Sequence, residues 1–284
     1  MSAKDNPFYK KTTLNLNGNI IDLSFPIIMG IVNVTPDSFF DGGKLNTSKD
    51  LLEHVEKMLE DGAAILDVGG YSSRPGAAHI EEKEEINRVL WAIKLILRTF
   101  PDTLISIDTF RVTVGAAALN EGACMINDIS CGELDPLMFD FISGKNVPYV
   151  IMHIKGTPQT MNTQTDYQNL LKEILNHFLD KLKILRERGV CDLIIDPGFG
   201  FSKTLDQNYE LLKNLNYFEA LEVPILVGIS RKSMFYNLLG TTPGNSLNAT
   251  TAAHMIALKN GASILRVHDV KEASEAIKIF KLTE

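Results

Sequence analysis

Eight apolar runs in this chain each end at polar residues or glycine, and the residue types there suit two kinds of chemistry. Asp108, Asn127, Asp196 and Lys232 offer acceptors and donors matched to the edge of a flat heterocycle with amino and oxo groups. Asn33, Ser73, Arg74, Arg266 and His268 are donors or cations suited to phosphate oxygens. Mg2+ would belong with this second set, because it settles between phosphates and one or two protein oxygens. Arg266 and His268 lie two apart, so on one strand they share a face and are expected to converge on one anion. No His/Cys group has zinc-site spacing, and no nucleophile elbow or Ser-His-Asp order is present.

These residues need elements to hold them. The apolar runs are PIIMGIVNV, AAILDVGG, TLISID, ACMIND, VPYVIMHI, DLIID, VPILVGIS and SILRVH, each compact enough for a strand buried on both faces. Between them lie helical stripes: Leu51, Leu52, Val55, Met58, Leu59; then Ile86, Val89, Leu90, Ile93, Leu97; then Leu171, Ile174, Leu175, Phe178, Leu182, Leu185. Gly62, Gly122, Gly189 and Gly261 each follow a helical stretch and precede a strand, where a left-handed cap stops the helix. A doubly wound sheet would need a GxGxxG after its first strand, and GIVNVTPDSF has none. The expected fold is α/β, a single (β/α)8 TIM barrel at residues 26–284. Residues 1–25 add a β-hairpin around Asn17-Gly18 that caps the bottom. In such a barrel the strand ends with their polar residues form the active-site rim.

Composition narrows the partners. With 284 residues, 45% hydrophobic and 22% charged, the chain is neither disordered nor collagen-like, and its length suits one barrel. The net charge of -7 argues against general nucleic-acid binding, which needs a basic face. No apolar run is long enough to span a membrane, and MSAKDNPFYKK lacks a signal-peptide core. Cys124, Cys131 and Cys191 form no CxxC pair, which fits a reducing cytoplasm.

The motifs NVTPDSFFDGG at 33–43, DVGGYSSRPGA at 67–77, SIDTFR at 106–111 and IND at 126–128 resemble those of dihydropteroate synthases. So do MHIKGTPQTM at 152–161, DPGFGFSKT at 196–204, GISRKSM at 228–234 and RVHDV at 266–270, in the family's order. Two positions depart: Tyr71 stands where the family often has Glu, and Ser73 where it has Thr. The resemblance implies condensation of a dihydropterin diphosphate with para-aminobenzoate, with diphosphate released, by a homodimer of the sulfonamide-target type. It implies catalytic roles for Asp108, Asp196, Lys232, Arg266 and His268. Asn33, Arg266, His268 and a Mg2+ held at Asn33 would neutralise the leaving diphosphate. Asp108 and Asp196 would stabilise charge spreading into the pterin, which Asn127 and Lys232 orient and Met152 floors. Arg74, Pro75, Phe39, Phe201 and Ser230 would surround the amine, and Ser73, which keeps a hydroxyl, would keep the contact of the family Thr.

The remaining candidates take plainer expectations. Asp67 is expected to be structural and paired with backbone donors. His153 supports the rim; His54, His79 and His177 are solvated; His254 packs on a helix face. The cysteines are small core residues, and Lys203 and Arg231 neutralise the rim. Two rival functions share the fold: a pterin-binding methyltransferase domain, which needs neither the Ser-Arg-Lys segment nor the RxH pair, and a catalytically silent paralogue. A fused pyrophosphokinase is excluded by length.

Overall fold

Residues two apart on a strand point the same way, so each buried run here splits into an inward and an outward set. A computed structural model describes residues 11–34, 47–72 and 79–283. Among them the chain begins with an antiparallel hairpin, β1 (Thr13–Leu16) and β2 (Asn19–Asp22). Asn17 and Gly18 turn it with φ of 53° and 89°, the paired left-handed residues of a two-residue hairpin loop.

The barrel follows as β3 (Ile27–Asn33), α1 (Ser48–Asp61), β4 (Ile65–Gly69), α2 (Glu82–Thr99), β5 (Ile105–Asp108), α3 (Val112–Asn120), β6 (Met125–Asp128) and α4 (Met138–Ser143). It continues through β7 (Tyr149–Met152), α5 (Leu170–Glu187), β8 (Leu193–Asp196), α6 (Leu205–Lys213), β9 (Leu226–Val227), α7 (Ser233–Leu239), α8 (Leu247–Lys259), β10 (Ile264–Val267) and α9 (Val270–Lys281). All eight expected strands form and pair in parallel, in the order β8-β7-β6-β5-β4-β3-β10-β9. A lone bridge between Ile195 and Ile225 nearly closes the ring, because β9 is only two residues long. Gly62, Gly122, Gly189 and Gly261 all take positive φ at their helix ends, as the repeated αβ turn requires.

The outward set, with Ile28, Val32, Leu66, Val68, Ile107, Ile126, Ile151, Ile195 and Leu265, packs against helix faces carrying Leu51, Val55, Val89, Ile93, Ile174 and Phe178. The inward set divides by height. At the bottom Met29, Ile65, Met125, Val150, Ile194, Leu226 and Ile264 form an apolar plug, and Leu14, Leu16 and Leu23 of the hairpin segment seal it. Two residues further up, the same strands carry Asp67, Asn127, Met152, Asp196, Gly228 and Arg266. The plug thus forms a dry floor beneath a polar layer. No helix among the described residues is long and apolar enough to cross a membrane.

Candidate active site

The polar layer opens into a cavity of about 560 Å³ at the C-terminal ends of the strands, a volume fit for a drug-sized ligand. Asn33, Asp108, Asn127, Met152, Asp196, Phe201, Ser230, Lys232, Arg266 and His268 all line it. Ser73, Arg74, Pro75 and Phe39 lie outside the described residues.

The centre of the site is an ion-pair cluster that the spacing of the motifs did not reveal. Arg266 donates from Nε to Asp67 Oδ2 and from Nη2 to Asp108 Oδ2, each at 2.6 Å. Asp67 Oδ2 also accepts from Asn127 Nδ2 at 2.9 Å. Asp67 is fully buried, and its second oxygen has no partner among the described residues. Contrary to expectation, then, Asp67 pairs with side chains of the site rather than with backbone donors. Arg266 is engaged by two carboxylates, and its Nη1 has no hydrogen bond among the described residues. Burial works against the Arg266 charge, but Asp67 and Asp108 outweigh it and hold the guanidinium ionised. Burial pushes the Asp108 carboxyl up to about 7, even against the pull of Arg266. His268 follows β10, and its backbone N–H donates to Ser230 Oγ at 3.2 Å.

Asp196 ends β8. Burial raises its pKa, opposed by the Lys232 charge and by the Gly198 N–H, which donates to Oδ1 at 2.8 Å. Lys232 precedes α7; burial lowers its pKa to about 8 although Asp196 favours the charged form. Its amine donates to the Phe199 carbonyl and lies 4.1 Å from the centre of the Phe201 ring. Beyond this ring, Ile129, Met152, Ile154 and Met161 make a small apolar wall with Phe110 and Phe201. The site therefore offers an apolar slot with carboxylate, amide and ammonium groups at its edges, suited to a flat, polar-edged ring.

Asn33 Oδ1 lies at the top of β3, close to Asp108 across Gly69, and the amide has no hydrogen bond among the described residues. No cluster of three His, Cys, Asp or Glu able to hold a metal by itself exists among the described residues. One neutral oxygen in that setting fits an ion that takes most of its ligands from a substrate and water.

Several plainer expectations need correction. His177 is not solvated: its Nε2 is buried without a partner among the described residues, its ring stands edge-on to His153 at 5.0 Å, and burial lowers its pKa to about 4. His54 Nε2 is likewise buried. Both sit three residues after a buried stripe position, Leu51 or Ile174, a signal that was there to use. His79 is exposed, and Cys191 is exposed rather than in the core. Lys203 is buried behind the rim, and Arg231 makes a two-pronged pair with Asp269 at 2.7 and 2.8 Å. His254 packs within α8 as expected.

Tyr71, at the position of a frequent family Glu, is 9% exposed and lines the cavity. Its ring meets Phe110 edge-on at 5.2 Å, Arg111 lies 5.4 Å from its centre, and its hydroxyl accepts from Gln159 Nε2 at 3.0 Å. The ring, not a charge, does most of the holding here. Tyr71→Phe should therefore cost about 1 kcal/mol, a fall in Tm of roughly 2–4 °C, and activity should persist. Calorimetric melting with a parallel rate assay checks this; a tenfold loss of rate would mean the hydroxyl acts on a ligand.

A (β/α)8 barrel with a polar-edged slot above a sealed apolar plug is an architecture suited to small-molecule chemistry. Residues 29–268 match the model of the pterin binding enzyme family. The chain is 40% identical to the dihydropteroate synthase of Escherichia coli over 268 residues, 94% of each chain. The Yersinia pestis dihydropteroate synthase, solved with a sulfonamide drug, superposes with a TM-score of 0.91 at 40% identity, covering 95% of this chain and 98% of that one. The Xanthomonas albilineans enzyme with 4-aminobenzoic acid gives a TM-score of 0.88 at 36% identity, covering 96% and 98%. The chain belongs to the pterin-binding enzymes and, within them, to the dihydropteroate synthase family.

Proposed function

We propose that this chain condenses 6-hydroxymethyl-7,8-dihydropterin diphosphate with para-aminobenzoate, giving 7,8-dihydropteroate and diphosphate. The observation that carries the reading is the meeting of Asp108, Asn127, Asp196 and Lys232 with Asn33, Arg266 and His268 in one cavity. The ring edge binds to Asp108, Asn127 and Asp196, with Lys232 beside it and Met152 beneath. Breaking the carbon–oxygen bond to diphosphate leaves positive charge on the pterin, which the carboxylates of Asp108 and Asp196, held in place by Arg266 and the Gly198 N–H, stabilise. The aniline nitrogen is a free base at neutral pH and attacks the exposed methylene carbon; the nitrogen then releases one proton to water or to the departing diphosphate. No strong general base is needed, in keeping with the lack of a catalytic dyad in the sequence.

Asn33 would hold Mg2+ together with the diphosphate oxygens; when bound, the ion neutralises charge on the leaving group. His268 and the Nη1 of Arg266 serve the same end. Phe39, Arg74, Pro75, Phe201 and Ser230 are assigned to the amine, and Ser73 to the substrate as a hydroxyl donor. In the same reading residues 1–25 are an extension of a barrel at 26–284, and the protein acts in the cytoplasm as a homodimer. Exposed Leu238, Leu239, Ile256 and Ile279 on the consecutive helices α7, α8 and α9 support that assembly.

The test is release of diphosphate with and without para-aminobenzoate. Release should depend on the amine and match dihydropteroate formed mole for mole. Pterin binding without any turnover would instead identify a silent paralogue.

A further inference from the structure

The loop after β8, residues 197–203, forms one wall of the cavity and is gripped from two sides by ammonium groups. From the cavity side, Lys232 donates to the Phe199 carbonyl. From behind, Lys203 donates to the carbonyls of Gly198 at 2.9 Å and Phe201 at 3.0 Å. Its third contact is His153 Nδ1 at 3.2 Å, beyond the end of β7. An ammonium has three N–H donors and no acceptor, so these contacts use it fully. They also make His153 Nδ1 an acceptor, consistent with burial holding that imidazole uncharged.

The Gly198 and Phe201 carbonyls face one side and the Phe199 carbonyl the other, in a loop that changes hand repeatedly. Gly198, Gly200 and Ser202 have φ of 74°, 76° and 46°. At Gly198 the approach is close enough to forbid a side chain: a Cβ would lie 2.1 Å from the His153 carbonyl oxygen. Gly198 is thus the junction of the arrangement. Its carbonyl accepts from Lys203, while its N–H donates to Asp196 Oδ1 at 2.8 Å. Other ties hold the same loop. Ser202 Oγ accepts from the Lys155 N–H at 2.9 Å, and the Ser202 carbonyl accepts from Tyr167 Oη at 3.0 Å.

We propose that Lys203 is a positioning residue of the reaction, which through the Gly198 and Phe201 carbonyls fixes the place of the cavity wall and, through the Gly198 N–H, that of the Asp196 carboxylate that receives the pterin. The proposal rests on the pterin reading for its consequence but not for the geometry. A neutral spacer would leave two carbonyls unpaired and remove a cation from behind the carboxylate. Burial lowers the Lys203 pKa to about 7, against the pull of Asp196, so the amine titrates near neutrality.

The charges around this pair come from several elements. Asp196 is faced by Lys232 after β9, by Arg266 of β10 and by Lys203. Lys203 is faced by Asp196, by Lys232, by Lys155 and His153 beyond β7, and more distantly by His177 of α5. Any pH effect must be separated from those groups, which the design below does by comparison.

The experiment is calorimetric titration of the free pterin into wild type, Lys203→Met and Tyr167→Phe between pH 5 and 9. Tyr167→Phe removes an uncharged tie from the same loop. Expected for Lys203→Met are at least a tenfold weaker affinity and an acid limb of binding displaced to higher pH, since Asp196 has lost a stabilising cation. Tyr167→Phe should leave that limb in place. Equal limbs in all three proteins would make Lys203 a merely structural residue and overturn the proposal. A second measurement serves if Lys203→Met does not fold or wild type does not bind pterin. The Lys203 Nζ titration, followed by nitrogen NMR without ligand, should move to lower pH in Asp196→Asn. No movement there overturns the coupling whatever the substrate; failure of wild type to bind pterin overturns the functional reading instead.

Discussion

Arg266→Ala is expected to lower the melting temperature sharply and to weaken binding of the pterin ring as much as that of diphosphate. The guanidinium compensates two carboxylates, Asp67 at 0% and Asp108 at 16% side-chain exposure, with 2.6 Å contacts to each. Removing one member of such a buried group leaves charge without a partner and costs about 3–5 kcal/mol, several-fold more than an exposed pair. For a chain of this size that corresponds to a fall in Tm on the order of 10 °C.

The loss should also depend on pH, with a definite sign. The Asp108 carboxyl already sits at about 7 with Arg266 present, above its ordinary 3.8, and without the guanidinium it rises further. Between those values the folded state binds more protons than the unfolded state, so stability falls as pH rises. The variant should accordingly be closer to wild type at pH 5 than at pH 8. Melting curves at the two pH values test this. An equal deficit at both would mean the carboxylates are not left charged, and the cluster would not be the cause.

This expectation differs from the one the RxH spacing suggests, and the difference shows what a sequence conveys about a barrel. Two residues apart on a strand, Arg266 and His268 do share a face, and the strand itself was legible from its apolar run. What Arg266 touches across the barrel depends on residues 199 and 158 positions away in the chain. No local period encodes such contacts. The same holds for Asp67, whose burial was foreseeable from AAILDVGG but whose partners were not. The hairpin, by contrast, was legible in full, because Asn17-Gly18 specifies its turn locally and Leu14, Leu16 and Leu23 need a surface to cover.

The positions with polar side chains were legible for a related reason. In a buried strand a polar residue is costly, so a run that ends in one marks the place where the chain meets a pocket or water. Lys203 escaped that logic. It ends a loop whose hand changes at Gly198, Gly200 and Ser202, and spacing cannot show that the side chain turns back beneath it. Tyr71 marks another boundary. The surrounding motif is strong, yet an aromatic ring held by Phe110 and Arg111 occupies a position where the family often carries a charge.

Asp196→Asn is expected to separate binding from stability. The wild-type carboxylate uses Oδ1 to accept the Gly198 N–H, and in an amide only the carbonyl oxygen can take over that role. The backbone donor thereby selects the amide orientation and leaves the NH2 facing the ligand. Where the pterin presents N–H donors, donor now meets donor in a desolvated slot, at a cost of about 1–3 kcal/mol, or roughly tenfold to somewhat over a hundredfold in affinity. Catalysis should fall further than binding, since the variant also lacks the negative charge that stabilises the pterin as diphosphate leaves. Stability should change little. Burial raises the Asp196 pKa despite Lys232 and Gly198, so the folded state holds its charge less favourably than the unfolded chain does. The sign follows from linkage: a carboxyl raised on folding destabilises the fold as pH climbs above its unfolded value, and a neutral amide removes that dependence. Loss of the carboxylate's support for the buried Lys232 and Lys203 charges offsets that gain, so the variant should melt close to the wild-type temperature at pH 7.5 while binding pterin at least tenfold more weakly. Calorimetry of both quantities on one preparation decides it; a clear drop in Tm with unchanged affinity would place Asp196 in the framework of the barrel and not against the substrate.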